Sequence, residues 1–245
     1  MTQPVVFCDF DGPIVDVSER YYQTYQQGLR SLAAMHKRQT DVELAIAPLS
    51  KQQFWQMKQN RTADIEIAIR SGVPSKWFGT FIRQVEKTVN HPSLLLWDKI
   101  QPSARAALRY LRQENMRLVL VTLRHPAQVS TFLQDNGLTH LVDEVYGMVD
   151  INAAYVNRVE RKCELLSGAI AQQKAKGYQT HSSWMLGDTE ADMFAAKDAG
   201  LSTAALTCGV RSEAYLQTLE PTEVHDELLS AVKAVVRIAR LELSL

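Results

Sequence analysis

The sequence predicts an α/β fold, a doubly wound parallel sheet with helices on both faces, interrupted early by an all-helical insertion. Three observations carry this. Apolar runs at 5–10, 118–121, 183–186 and 203–206, with a shorter one beginning at 145–146, read as buried strands. Helical patterns over about 103–114, 126–136, 158–175 and 190–199 alternate with them, as parallel crossover units require. Residues 17–95 show no clear strand pattern and three or four helical ones, near 18–38, 41–47, 50–70 and 74–90, broken by Gly72-Val73-Pro74 and His91-Pro92.

Composition sets the outer limits. A chain of 245 residues with 46% hydrophobic residues can build a substantial core. Lys+Arg 27 balances Asp+Glu 27, so no global field draws nucleic acid or an anionic membrane. Cys8, Cys163 and Cys208 lie far apart without metal-type spacing, which reads as inert thiols in a reducing compartment. No run approaches the ~18 apolar residues of a membrane span, and the start Met1-Thr2-Gln3-Pro4 lacks the basic and apolar parts of a signal peptide. The expectation is a soluble cytoplasmic protein with neither nucleic acid nor membrane as partner.

The first strand, Val5-Val6-Phe7-Cys8, runs into Asp9-Phe10-Asp11-Gly12-Pro13. Alternate residues of an extended segment point the same way, so Asp9 and Asp11 are expected on one face at the strand exit, where open α/β sheets bind ligands. Two adjacent carboxylates need a cation or a shared proton between them. The insertion follows at once, and its aromatics, Phe54, Trp55, Trp77, Phe78 and Phe81, read as its own core. The second strand, Leu118 to Val121, ends in Thr122, a hydroxyl at a strand-to-helix turn before Pro126. The pattern at 158–175 carries Arg161 and Lys162 near its start. Ser183 to Leu186 ends in Gly187-Asp188, and Asp192 follows one helical turn later on the same side. The last element is a helix from Val224 to Leu241 with Val224, Leu228, Val232, Val235 and Val236 on one stripe, started by Pro221-Thr222.

Taken singly, Thr122 reads as a helix cap, Lys162 as a solvated helix lysine and Asp188 as an N-cap. Taken together they form a device. Carboxylates from two strand ends converge on a hard cation, most simply Mg²⁺, with a hydroxyl and an ammonium as donors and one carboxylate left as nucleophile. Phosphoryl transfer needs these parts.

The order Asp9-x-Asp11-Gly12-x-x-x-Asp16, apolar strand plus Thr122, Lys162, Gly187-Asp188-x-x-x-Asp192 resembles the haloacid dehalogenase superfamily, in particular its phosphoglycolate phosphatase-like members with a helical cap inserted after the first motif. Asn136-Gly137-Leu138 and Ala195-Ala196-Lys197-Asp198-Ala199-Gly200 extend the likeness. The resemblance implies a Rossmann-like core of residues 1–16 and 96–245, with the first strand central, and a cap of 17–95. It implies Asp9 as nucleophile, forming an aspartyl-phosphate, and Asp11 as the group that protonates the leaving oxygen and later activates water. Thr122 and Lys162 would hold the phosphoryl group, with Gly12 in the substrate loop. Asp188 would bind Mg²⁺ with Asp9 and the Asp11 carbonyl, and Asp192 would support the metal shell or Lys162. Pro13 departs from the usual Thr, and Leu123-Arg124-His125 from the usual residues after the second motif. Arg124 is either a substrate contact or, with His125, a solvent-facing pair.

The leading reading is a Mg²⁺-dependent phosphatase acting on a small phosphorylated metabolite. A phosphosugar mutase of the same architecture would carry His twelve residues after the nucleophile, where Tyr21 stands. A non-catalytic phosphate-binding regulator would have lost an acidic residue, and none is missing. Specificity is expected from the insertion, where the polar, basic stretch Gln56 to Thr62 offers Arg61, and after it Lys58, to a second anionic group on the substrate.

Overall fold

The computed structural model describes residues 3–242. In chain order it contains β1 (Pro4–Cys8) and β2 (Val15–Asp16), then α1 (Ser18–Thr40), α2 (Lys51–Gln59), α3 (Asp64–Arg70), α4 (Phe78–Thr88) and α5 (Pro92–Leu95). There follow β3 (Lys99–Ile100), α6 (Ala104–Gln113), β4 (Arg117–Val121), α7 (Pro126–Asp135), β5 (Glu144–Tyr146), α8 (Ala153–Val156) and α9 (Val159–Ala175). The chain closes with β6 (Gln179–Gly187), α10 (Glu190–Asp198), β7 (Ser202–Leu206), α11 (Glu213–Gln217), β8 (Glu223–His225) and α12 (Leu228–Glu242). It divides into two compact units, one formed up to Asp16 and from Lys99 onward, the other by Val17–Asp98.

The first unit is built on six parallel strands in the order β5-β4-β1-β6-β7-β8. Right-handed crossovers put α6 and α7 on one face and α9 and α10 on the other. On the second face Val5 and Phe7 of β1, Val119 and Val121 of β4 and Met185 of β6 pack with Leu166 and Ala169 of α9 and Ala195 and Ala196 of α10. A strand buried on both faces must be apolar throughout, which is why β1 and β4 read as continuous hydrophobic runs. From β1 the chain winds outward to β4 and β5, then crosses back to β6 and winds the other way. The connections therefore diverge between β1 and β6, and the carboxyl ends of those strands open the crevice where such sheets bind ligands.

The terminal element differs from expectation. Val224 belongs to β8, a short strand paired parallel with β7 through Ala205 opposite Val224, and the helix starts only at Leu228. A β-branched residue between Glu223 and His225 fits a sheet edge, and β7 would otherwise leave its outer ladder open. Leu228, Val232, Val235 and Val236 are buried, so the rest of the stripe faces the core. A small antiparallel pair, β2 with β3, was not foreseen; it sets Val15 opposite Ile100 and Asp16 opposite Lys99.

The Val17–Asp98 unit is helical among its described residues, with boundaries that differ from the sequence pattern. No helix forms over 41–47, because Asp41 turns left-handed (φ 57°) to cap α1 and the chain runs on irregularly to Ser50. The pattern at 50–70 breaks into α2 and α3 at Arg61, whose φ of 60° no α-helix accommodates. The aromatic core is present: Phe54 and Phe81 are buried, and Tyr25 stacks on Phe54 at 4.6 Å and meets Phe81 edge-on at 6.5 Å. Arg20 is fully buried and joins the two ends of the insertion, with Nε 2.9 Å from Asp98 Oδ1 and Nη1 donating to Asn90 Oδ1 at 2.7 Å. Removing one partner strands a buried charge. Arg20→Ala is expected to cost ~3–5 kcal/mol in chemical denaturation; a loss under ~1 kcal/mol would show the pair to be dispensable.

Candidate active site

Each acidic group reaches the crevice from a strand exit. Asp9 follows β1, and its backbone N–H donates to Leu186 O on β6 at 2.8 Å, which ties the two exits together. Asp9 Oδ1 accepts from Phe10 N at 2.8 Å and lies 2.9 Å from Lys162 Nζ. None of the described hydrogen bonds uses Oδ2, which leaves that oxygen for chemistry. Lys162, in the first turn of α9, is 1% exposed and also lies 2.7 Å from Asp192 Oδ1. Asp192 in turn accepts from Thr189 N (3.1 Å) and Thr189 Oγ1 (2.9 Å) through Oδ2, closing a capping box on α10. Asp192 is therefore bonded both to Lys162 and to the start of α10.

Asp188 is fully buried; its Oδ2 accepts from Val210 N at 2.6 Å, and its Oδ1 has no hydrogen-bond partner. Glycines make room for it. A Cβ on Gly12 would fall 2.2 Å from Asp188 Cγ, and one on Gly209 would fall 2.1 Å from Oδ2. Gly12 also adopts φ +97°. Its N–H donates to Val15 O at 2.9 Å and its carbonyl accepts from Gln101 Nε2 at 2.9 Å. Gly12 is therefore spent on the turn and on clearance for Asp188, and its amide is not a free donor for a substrate.

Asp9, Asp188 and Asp192 each place one carboxylate oxygen within 4.8 Å of the others. Three carboxylates against the single ammonium of Lys162 leave an excess of two negative charges if all are ionised. Burial answers this by pushing Asp9 up to about 7 and Asp188 well above the carboxylate range, with Lys162 lowering Asp9 and Asp192 raising both. Lys162 is held protonated: burial works against its charge, but Asp192 and Asp9 outweigh it. An orphaned buried oxygen on Asp188, an all-oxygen donor set and an unbalanced double charge fit a hard divalent cation.

Thr122 stands at the exit of β4, 1% exposed, and its Oγ1 accepts from Arg124 N at 3.2 Å, which leaves the hydroxyl proton available to an anion. Arg124 is not the solvent-facing residue of the second alternative: it is 2% exposed, with Nη1 2.8 Å from Asp11 Oδ1. The Asp11 carboxylate accordingly lies outside the cluster of three acids. His125 is half-exposed and caps α7 by accepting from Ala127 N at 3.2 Å. Arg61 lies in the other unit, in the turn between α2 and α3, and Lys58 is engaged there with Asp64 at 2.8 Å.

Two features were missed from the sequence. The loop after β7 supplies Gly209 and the Val210 N–H to Asp188, and Arg211 of the same loop forms a buried two-point pair with Glu190 at 2.8 and 3.1 Å. The signal was a glycine just beyond a buried strand exit, Thr207-Cys208-Gly209-Val210, as Gly12 stands just beyond β1.

A profile of haloacid dehalogenase-like hydrolases matches residues 5–206. The chain belongs to that family. Its sequence is 24% identical over 242 residues to the phosphoglycolate phosphatase of Synechococcus elongatus, covering 96% of this chain and 99% of that protein. It is also 24% identical over 204 residues to the 2-hydroxy-3-keto-5-methylthiopentenyl-1-phosphate phosphatase of Microcystis aeruginosa, covering 80% of this chain and 82% of that one. The crystal structure of a predicted phosphatase from Clostridium acetobutylicum has the same fold, with a TM-score of 0.67 at 15% identity over 97% of this chain and 100% of that one. Family and relatives together make the chain an enzyme of the phosphatase class. Among the described residues no helix is long and apolar enough to cross a membrane.

Proposed function

We propose that this enzyme hydrolyses a small phosphorylated metabolite in two steps through a phosphoryl group carried on Asp9, with Mg²⁺ as cofactor. The observation that supports this most is the buried group of Asp9, Asp188 and Asp192 with Lys162 bonded to two of them. Asp9 Oδ2 would attack phosphorus as the bond to the leaving oxygen breaks, and Asp11 would give that oxygen its proton. Water would then attack the same phosphorus, Asp11 taking its proton, and Asp9 would be regenerated with release of phosphate. Lys162 and the Thr122 hydroxyl would neutralise and hold the phosphoryl oxygens. Asp9, Asp188 and the Asp11 carbonyl would hold the ion, with Asp192 in support. When bound, the ion supplies charge to balance the buried carboxylates and the phosphoryl group.

Protein stripped of metal is expected to lose about a hundredfold or more of its activity on p-nitrophenyl phosphate and to regain it with Mg²⁺. Full activity in excess chelator would contradict this. Substrate choice we assign to the helical insertion, with Arg61 pairing with a second anionic group such as a carboxylate. Arg61→Ala should lower kcat/KM for the best metabolite found in a screen about tenfold or more, roughly 1.4 kcal/mol, while p-nitrophenyl phosphate changes less than about twofold. Equal effects on both substrates, or on neither, would remove Arg61 from recognition.

A further inference from the structure

We propose that Arg124 is a positioning residue: it holds the Asp11 carboxylate away from the three-acid cluster, and so places the proton carrier of both reaction steps. The inference rests on the reading of Asp11 as that carrier.

Strand alternation alone would send Asp9 and Asp11 in the same direction. Their carboxylates nonetheless part company. Asp9 turns toward Lys162, whereas Asp11 Oδ1 meets Arg124 Nη1 at 2.8 Å, with the Arg124 side chain 2% and the Asp11 side chain 12% exposed. Arg124 comes from the exit of β4, the strand on the opposite side of β1 from β6, so it draws Asp11 away from Asp188 and Asp192. Two further contacts fix it. Its guanidinium carbon lies 5.3 Å from the centroid of the Phe10 ring, which is itself braced edge-on by Phe132 at 5.5 Å. Its backbone N–H donates to Thr122 Oγ1, so one residue orients both the hydroxyl and the carboxylate.

This arrangement has two effects. A fourth carboxylate is kept out of a cluster in which three acids already share one ammonium. The carboxylate is bound at a defined place, and a proton carrier must stay within hydrogen-bond reach of the reacting oxygen.

The test is steady-state hydrolysis of p-nitrophenyl phosphate with Mg²⁺ by Arg124→Met, Arg124→Lys, Asp11→Ala and the Asp11→Ala/Arg124→Met double variant, with thermal midpoints measured alongside. Arg124→Met is expected to lower kcat about tenfold or more with KM within about twofold, and Arg124→Lys to recover most of the loss. In the Asp11→Ala background the Met substitution should cost less than about twofold, because its effect acts through Asp11. Arg124→Lys no better than Arg124→Met, or the same fold-loss from the Met substitution with and without Asp11, would overturn the proposal. Should Arg124→Met fail to fold, Arg124→Gln takes its place: a kcat loss of about tenfold or more that falls below about twofold in the Asp11→Ala background supports the proposal, and an equal loss with and without Asp11 overturns it. Asp11→Ala with unchanged kcat would refute the assigned role of Asp11 itself, and Arg124 with it.

Discussion

Asp9→Asn is expected to abolish turnover while the protein stays folded. An amide cannot take a phosphoryl group to form an acyl-phosphate, so kcat should fall by three orders of magnitude or more, about 4 kcal/mol of lost barrier lowering. Stability should move the other way or not at all. Burial raises the Asp9 carboxyl to about 7, so the folded state binds its proton more tightly than the unfolded chain. Such a group costs stability as pH rises from its unfolded value toward the folded one, and a neutral amide removes that cost. At neutral pH and without added metal, the Asn variant should melt at the wild-type temperature or above. A variant that turns over within about tenfold of wild type would take the nucleophile's role from Asp9.

Lys162→Met should be as damaging to activity and far more damaging to the fold. Lys162 Nζ is the shared partner of Asp9 Oδ1 and Asp192 Oδ1, at 2.9 and 2.7 Å, and is almost wholly buried. Methionine fills similar space but leaves three buried carboxylates with no cation among them. Removing one partner of a buried ion pair typically costs ~3–5 kcal/mol, because the remaining charge is desolvated and uncompensated. Urea denaturation in chelator should show a loss of that size, reduced when a divalent cation is added. A variant as stable as wild type in chelator would mean that the cluster is already neutral through shared protons, and that Lys162 is not needed to hold it together.

The parts of the site that follow from strand exits were legible in the sequence. A buried strand must be apolar and must stop when the chain leaves the sheet, so Asp9, Thr122 and Asp188 each stand out as the first polar residue after such a run. Asp192 follows from its spacing to Asp188, whereas Lys162 stands out only as a lysine near the start of a helix and takes its role from the family resemblance. What the pattern could not give were contacts set by side-chain direction. Arg124 follows an apolar strand and looks solvated, yet it folds back over Phe10 to reach Asp11. Gly209 and Val210 matter only because the exits of β6 and β7 are adjacent, a relation that strand order alone fixes. Val224 was mistaken for helix because it is in step with the stripe of α12, whereas the open edge of β7 decided its conformation. The breaks at Asp41 and Arg61 are left-handed residues that no apolar period announces.

The central claim is that a phosphoryl group passes through Asp9. It is tested most directly by mixing enzyme, Mg²⁺ and p-nitrophenyl phosphate, quenching during turnover, reducing with borohydride and mapping the N-terminal peptide by mass spectrometry. An acyl-phosphate on Asp9 is reduced to homoserine, whereas a free carboxylate is not. The predicted result is homoserine at position 9, dependent on substrate and absent from Asp9→Asn. Release of p-nitrophenol with position 9 unreduced, or with reduction at Asp11 in its place, would contradict it.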